Sequence, residues 1–233
     1  MTIFLKRRTR YENKRYFSVI LLIPFVFTNF ILSSQNIPDF MVNENVSPDG
    51  AEQTNPAIGG NGSGRFVVVW KDNRMGFGDD IFAQIFADQN TPVGINFRVN
   101  DVYDDYYHYY PDVAADAEGR FVVAWCDDRD GEEAIYFQRY AADGNPLGAN
   151  TKVESLAGSV FQRTPSVAVD ASGNFIISWM DKQSNNTNIL ARRFSHDGLP
   201  LGNILEVNTP EDNTYCYKPA VSAGESGNFA ICW

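Results

Sequence analysis

The four tryptophans of this 233-residue chain recur at a nearly constant interval, and each of them ends the same kind of apolar run. Successive tryptophans are 55, 54 and 54 residues apart. They are Trp70, Trp125, Trp179 and Trp233. Each follows a phenylalanine by four residues, at Phe66, Phe121, Phe175 and Phe229. Because strand-rich repeats of about 40–50 residues are typical of propeller blades, the period predicts tandem blades that bury their faces against one another. We therefore expect these eight aromatic residues to form the repeated core.

One repeat has the pattern of four strands joined by tight turns. In the second repeat, residues 111–115 predict a first strand, and Asp116-Ala-Glu-Gly119 predicts the turn after it, since Asp binds turn backbone and Gly accepts a positive φ. Residues 121–125 are apolar at every position, which indicates a second strand covered on both faces. Residues 135–140 and 151–154 predict a third strand of mixed polarity and a more polar fourth strand. Four such strands make one blade.

The repeats predict an all-β fold, an incomplete β-propeller of four-stranded antiparallel blades with about three and a half blades present. The predicted bounds are 54–101, 109–155 and 163–209 for the three full blades and 217–233 for the half blade. Residues 39–44 match the fourth-strand pattern without the three strands that precede it, so they predict an orphan outer strand that completes the last blade of a ring. Because propellers need at least about four blades, we expect a longer product.

The first 35 residues predict an export signal. Six basic residues lie within positions 1–15, and the uncharged apolar stretch 16–34 follows them. This stretch is close to the ~20 residues that span a bilayer, so an uncleaved signal anchor is the alternative to a cleaved signal peptide. Both alternatives place residues 36–233 outside the cytoplasm. We expect a secreted or cell-surface protein that has no membrane contact beyond this segment.

The charge of the chain limits its partners. The formal net charge is −10 at pH 7, and the repeats are more acidic still because so many basic residues lie in the first fifteen positions. An acidic body repels phosphate backbones, which argues against nucleic-acid binding. Cations and neutral ligands such as glycans remain compatible with it.

The best-matching motifs lie in the second repeat. Residues 111–125 have the pattern Pro-x-Val-Ala-x-Asp-x-x-Gly-x-Phe-Val-Val-x-Trp, and Asp127-x-Arg129 and Asp143-Gly-x-Pro-Leu-Gly148 follow. In these motifs the chain resembles secreted bacterial β-propeller repeat proteins and, more distantly, sialidases. The resemblance covers residues 40–233 and implies an extracellular scaffold. The turn here is Asp-x-x-Gly, whereas the sialidase Asp box carries Asp-x-Gly, so the kinship with sialidases is distant.

The link between the first and second blades departs most from the repeat. It contains five tyrosines and one of the two histidines of the chain. Aromatic rings with hydroxyl edges stack against sugar rings and anchor protein partners, so this link is the candidate ligand-binding patch. Its members are Tyr103, Tyr106, Tyr107, His108, Tyr109 and Tyr110. Packing of these tyrosines between blades is the alternative interpretation.

Other polar residues recur in successive repeats. Asp72, Asp127 and Asp181 each stand two residues after a tryptophan, and this recurrence predicts loop bracing rather than catalysis. The acidic segments 79–80 and 127–133 offer oxygen ligands of the kind that calcium prefers. Their spacing is not that of an EF-hand loop, and a solvated acidic face is the favoured interpretation. We predict no cofactor, with calcium as the open alternative, and no catalytic residue.

The sequence favours an exported, non-enzymatic propeller that acts as a binding or adhesion module for a glycan or a protein at the cell surface. We expect its ligand site on the loops or at the centre of the ring. No nucleophile motif, phosphate-binding glycine loop or zinc-ligand spacing is present in the sequence. The alternative is a glycan-processing, sialidase-like hydrolase whose catalytic residues lie partly beyond Trp233. A purely structural spacer is the third hypothesis.

Overall fold

The computed structural model describes residues 3–5, 42–43, 51–76, 78–88, 91–102, 105–208, 215–224 and 226–233. All regular secondary structure within these ranges is β-strand. Across the same ranges, the structure contains no helix with the length and apolarity that a membrane crossing requires. The predicted export signal lies outside the described residues except for strand β1 (Ile3–Leu5).

Three four-stranded antiparallel sheets follow one another along the chain, and in each the strands pair in chain order. The first sheet contains β2 (Gln53–Gly60), β3 (Phe66–Asp72), β4 (Asp80–Asp88) and β5 (Thr91–Arg98). The second contains β6 (His108–Ala115), β7 (Phe121–Asp127), β8 (Ala134–Tyr140) and β9 (Thr151–Lys152). The third contains β10 (Ser159–Val169), β11 (Phe175–Gln183), β12 (Asn186–Phe194) and β13 (Leu205–Glu206). Each sheet is one blade.

The fourth repeat is a hairpin of β14 (Ala220–Ala223) and β15 (Phe229–Cys232). Strand β1 pairs in parallel with β15 at the open edge of this hairpin. The described sheets do not close into a ring. The predicted fold class, an all-β and incomplete propeller of four-stranded antiparallel blades, is confirmed.

The sheets stack face to face, which explains the apolar second strands. Strand β7 is buried along its whole length. Val123 and Trp125 pack into a cluster with the first sheet, whereas Val122 and Ala124 pack into a cluster with the third. A strand covered on both faces has no position left for polar residues, as the sequence predicted.

The repeated aromatic core is most complete in the middle of the stack. The side chains of the second and third repeats are buried, namely Phe121, Trp125, Phe175 and Trp179. In the first repeat Trp70 is buried and Phe66 is half-buried. In the last repeat Phe229 and Trp233 are both half-buried. Burial of the core is therefore most complete where a blade has a described neighbour on each side.

The blades are arranged around an axis. Strand β2 contacts β6, β6 contacts β10, and β10 contacts β14, so the first strands of successive blades lie side by side. One backbone hydrogen bond recurs at each junction: His108 N to Asp79 O, Gln162 N to Glu133 O, and Cys216 N to Thr187 O, at 2.8–3.0 Å. First strands near an axis and fourth strands at the periphery are the radial order of a propeller.

The predicted orphan strand lies almost entirely outside the described residues. Val42 and Asn43 are described, and they form a bend. The Val42 carbonyl accepts a hydrogen bond from Asn96 Nδ2 at 3.5 Å. One blade later, the Val99 carbonyl accepts the equivalent bond from Asn150 Nδ2 at 3.2 Å. Val42 therefore contacts the first blade as the end of the first blade contacts the second.

Candidate functional site

The aspartates that follow the tryptophans brace the ends of the second strands. Trp125 Nε1 donates to Asp127 Oδ2 at 2.8 Å, and Arg129 Nη2 lies 2.7 Å from the same oxygen. The Arg129 backbone N–H also donates to Asp127 Oδ1 at 3.0 Å. Trp70 and Asp72 make the same indole bond in the first blade at 2.9 Å. A buried carboxylate with this many donors holds the loop after the strand in place.

His108, a member of the predicted tyrosine-rich patch, lies buried at the junction of the first two blades and is 1% exposed. Its Nδ1 is 2.7 Å from the Asp79 carbonyl oxygen, and its Nε2 is 3.2 Å from Asp127 Oδ2. Both neighbouring atoms are oxygen acceptors, so the imidazole joins the two blades at this junction. Burial raises the pKa of Asp127, but the hydrogen bonds from His108, Arg129 and Trp125 lower that pKa by more, to well below the usual carboxyl range.

The tyrosines of the predicted patch do not share one environment. Tyr103 lies outside the described residues, and Tyr106 is half-buried. The rings of Tyr107 and Tyr109 stack with centroids 5.8 Å apart and planes 3° apart. Strand alternation places them on the face opposite to His108. Tyr110 is exposed, and its ring centroid lies 6.0 Å from that of Tyr109.

This stacked pair belongs to a series that continues in the next two repeats. Tyr215 and Tyr217 occupy the equivalent positions of the fourth repeat, and their rings stack at 6.3 Å with planes 5° apart. In the third repeat the positions hold Phe161 and Arg163, whose guanidinium carbon lies 4.6 Å from the ring centroid. The tyrosine link is therefore the second-blade form of an aromatic ladder.

The residue before the repeat proline has a left-handed backbone in all four repeats. The φ angles are 54°, 51°, 50° and 49° for Asn55, Tyr110, Thr164 and Lys218. Register shifts in the three inner strands β2, β6 and β10 fall at this point. A non-glycine residue in this conformation costs about 1–3 kcal/mol, and residues before proline are normally extended. The four positions share a backbone conformation but have four different side chains.

These four residues and the prolines after them line an opening at the axis. Its volume is about 370 Å³, and all four repeats contribute to its wall. Asp112 also lines the opening, and its Oδ2 accepts the Val167 backbone N–H at 2.8 Å. Burial raises the pKa of Asp112, while hydrogen bonds from Val167, Val113 and Ser166 oppose that rise. The ring centre is one of the two places predicted for a ligand site, and the recurring prolines, Pro56, Pro111, Pro165 and Pro219, are the sequence signal for the residues that line it.

A second cavity lies between the third and fourth blades, next to the axial opening. Its volume is about 340 Å³. Tyr110, Thr164 and Lys218 belong to both cavities. Tyr215 and Tyr217 of the aromatic ladder form another part of its wall. The tyrosine patch and the axial opening therefore meet at Tyr110.

Several carboxylates of the acidic segments considered for calcium are paired with basic side chains. Lys71 Nζ lies 2.9 Å from Asp79, and Lys152 Nζ lies 2.5 Å from Asp130. Glu133 binds Arg163. Within the described ranges, no group of three or more His, Cys, Asp or Glu side chains is arranged to hold a metal ion. The prediction of no cofactor, with calcium as its alternative, stays a prediction.

Comparison with known proteins gives matches among solved structures. No family model and no curated protein matches the chain. The Hadza microbial sialidase Hz136 superposes with a TM-score of 0.56 and 11% identity, over 72% of this chain and 39% of the sialidase chain. An endo-arabinase from Bacteroides thetaiotaomicron has a TM-score of 0.46 and 13% identity, over 76% of this chain and 68% of its own. A PL25 ulvan lyase has a TM-score of 0.47 and 13% identity, over 74% and 45%.

The chain spans about two fifths of the sialidase chain that it matches, 39% of its length. At 11% identity this likeness is one of fold. It agrees with the stacked four-stranded sheets and the radial order of their first strands. The chain is thus an incomplete β-propeller with a distantly sialidase-like fold.

Proposed function

We propose that this chain is an exported, non-enzymatic β-propeller module that binds a glycan at the cell surface, and that the axial opening is its binding site. The observation that carries the proposal is the set of pre-proline residues. The same left-handed backbone conformation recurs at four positions around the opening. These positions have four different side chains, those of Asn55, Tyr110, Thr164 and Lys218.

A purely structural role does not explain this choice of residues. If the left-handed position served only to bend the inner strand, glycine or asparagine would suffice in every repeat, since both adopt a positive φ at little cost. A β-branched threonine and a bulky tyrosine are strained there. Backbone strain that is kept without a structural need is a feature of functional sites.

The side chains around the opening suit a sugar. The ring of Tyr110 offers a flat apolar face against which a pyranose stacks, and it is exposed. Asn55 and Lys218 offer hydrogen-bonding groups that match sugar hydroxyls. The 370 Å³ volume lies in the range of about 300–1,000 Å³ for small-ligand sites. The predicted export signal places this opening outside the cytoplasm.

Glycan-array screening followed by equilibrium titration of the best glycan tests the proposal. Tyr110→Asn removes the ring and installs the residue that the first repeat carries in the same conformation at Asn55. We expect affinity to fall about tenfold, the value of one aromatic stacking contact. Leu199→Asn, at an exposed turn, is the matched control and leaves affinity unchanged. Equal affinity of wild type and Tyr110→Asn, or no glycan bound, contradicts the proposal.

A glycan-processing hydrolase is the second candidate, and Asp112 is the observation that favours it. Its carboxyl lies in the axial opening with a raised pKa, as that of a general acid does. Release of reducing sugar ends from a bound glycan, abolished in Asp112→Asn, favours the hydrolase. Binding without release, and with the same affinity in Asp112→Asn, favours the binding module.

A further inference from the structure

The cavity between the third and fourth blades is a cationic site in an acidic protein. Arg163, Lys182 and Lys218 line it, and the rest of its lining is uncharged tyrosine, threonine, phenylalanine and methionine. The chain as a whole has a net charge of −10. Such a local reversal of charge raises the concentration of anions at one place on a surface that otherwise repels them.

Lys182 stands where the other blades have a hydrogen-bond acceptor. In the first blade, Asn73 Oδ1 accepts the Glu52 backbone N–H at 2.7 Å. In the second blade, Asp128 Oδ1 accepts the Tyr107 backbone N–H at 2.8 Å. A lysine has no acceptor, so the third blade lacks this repeated bond and has a positive charge instead. The departure from the repeat falls at the cavity.

The other two cations are also specific to this cavity. Arg163 corresponds to Thr54, Tyr109 and Tyr217 in the other repeats. Lys218 corresponds to Asn55, Tyr110 and Thr164. None of the equivalent residues is basic. Basic residues therefore occupy three separate positions of the repeat around this one cavity.

The three cations of the cavity differ in their pairing with the carboxylates that the structure describes. Arg163 Nη2 lies 2.7 Å from Glu133 Oε1, so a carboxylate already neutralises its guanidinium. Among the described residues, neither Lys182 nor Lys218 is paired with a carboxylate. An ammonium group that none of these described carboxylates neutralises can donate to an anionic ligand in the cavity.

The lysines lie beside an aromatic wall. Lys182 Nζ is 5.4 Å from the centroid of the Tyr215 ring, and Tyr215 stacks on Tyr217. Both tyrosines are more than half exposed, at 58% and 54%. Flat rings next to ammonium groups match a sugar ring that carries an acidic substituent, because the rings contact its apolar face and the ammonium groups bind its anion.

We propose that this cavity binds the carboxylate or sulfate group of an acidic sugar through Lys182 and Lys218, with Tyr215 and Tyr217 against the sugar ring. The inference rests on the proposed function, since the cavity shares Tyr110, Thr164 and Lys218 with the axial opening. It specifies the class of glycan, an anionic one.

Equilibrium titration of the full chain with three trisaccharides tests the inference. The probes are trigalacturonate, the neutral trisaccharide made by reducing its carboxyl groups, and that neutral trisaccharide carrying sulfate esters. The variants are Lys182→Asn and Lys218→Asn, which install the residues that the first blade carries as Asn73 and Asn55. Lys152→Asn removes an equal charge from the outer strand β9 and is the control. Thermal unfolding checks that each variant folds.

We expect at least one anionic trisaccharide to bind about tenfold more tightly than the neutral one, and each cavity variant to lose about tenfold in that affinity, the value of a hydrogen bond to a charged group. The control keeps wild-type affinity, and added salt reduces the preference. A preference for one anionic probe tells carboxylate from sulfate.

Equal affinity for charged and neutral sugars, unchanged by either cavity variant, overturns the inference and leaves the proposed function standing. Failure of both anionic probes to bind overturns it as well, even where a neutral glycan binds in a Tyr110-dependent manner. If the array shows no bound glycan, the proposed function fails and this inference fails with it.

Discussion

The second and third blades have the same strands in the same order, but the indole N–H of the repeated tryptophan is hydrogen-bonded differently in each. In the second blade, Trp125 Nε1 donates to Asp127, which Arg129 also holds. In the third blade, Trp179 is fully buried, yet its Nε1 meets no acceptor among the described residues. The Asp181 carboxylate accepts instead from Ser159 Oγ at 2.6 Å.

The missing arginine explains this difference. Gln183 stands in the third blade where Arg74 and Arg129 stand in the first two. No guanidinium holds the Asp181 carboxylate beside the Trp179 indole, and this carboxylate accepts a hydrogen bond from the Ser159 hydroxyl. The same short segment contains Lys182, which faces the cationic cavity. Repeated residues thus build the scaffold, whereas the third blade has fewer bracing contacts at this point and a charged surface beside it.

The largest expected difference between the two blades is the stability lost when the aspartate of each blade is replaced by alanine. Asp127→Ala leaves Arg129, His108 and the Trp125 indole without their buried partner, and we expect a loss of about 3–5 kcal/mol in the free energy of unfolding. Asp181→Ala removes a carboxylate with fewer donors and costs about 1–2 kcal/mol. Urea denaturation of both variants measures the difference. Equal losses break the comparison.

The pH dependence of stability sharpens the account of Asp127. Its pKa is lower in the folded protein than in the unfolded chain, so the stability it contributes is complete above the unfolded pKa of about 3.9 and is lost as the pH falls below that value. Asp127→Asn, which keeps an acceptor but no charge, should be less stable than wild type at neutral pH. The gap should shrink below about pH 4. A constant gap in denaturation curves from pH 7 to pH 3 contradicts this assignment, with exposed Asp143→Asn as the control.

Adding the arginine to the third blade tests whether the bracing contacts of the second blade can be restored there. Gln183→Arg gives the third blade the sequence of its siblings and should bring Asp181 back under Trp179. We expect a gain of about 1 kcal/mol, the net value of one hydrogen bond made by a buried donor. Urea denaturation measures it, and Lys152→Arg at the surface is the control. A variant less stable than wild type shows that the missing arginine is not the cause.

The smallest expected effect concerns the strained position of the third blade. Thr164 has a φ of 50°, and its hydroxyl is buried without a partner among the described residues. Thr164→Asn installs the residue that the first blade carries at Asn55, and we expect a gain of about 0.5–1 kcal/mol from relief of strain. Denaturant unfolding measures this gain. A loss of stability indicates that Thr164 has a packing role that Asn55 does not share.

The parts of the fold that repeat were predictable from the sequence. The spacing of Phe121 and Trp125 predicted a second strand from residue 121, and β7 begins there. Gly119 has the positive φ, 84°, that its Asp-x-x-Gly turn requires. These features depend on residues close in the chain, and four copies of the pattern reinforce one another.

The candidate site was harder to predict, for two physical reasons. A residue before proline is normally extended, so nothing in Tyr110-Pro111 indicates a left-handed backbone. The side chains at the four equivalent positions differ, so the repeat does not draw attention to them. His108 was grouped with its tyrosine neighbours because its partner Asp79 belongs to the preceding blade and is 29 residues away.

A crystal structure of the protein with its tightest-binding oligosaccharide tests the central claim most directly. The account predicts that the sugar lies at the axis, with one ring against Tyr110 and an acidic substituent within hydrogen-bonding distance of Lys182 or Lys218. A sugar bound at the outer strands β5, β9 or β13, with the axial opening empty, would contradict it.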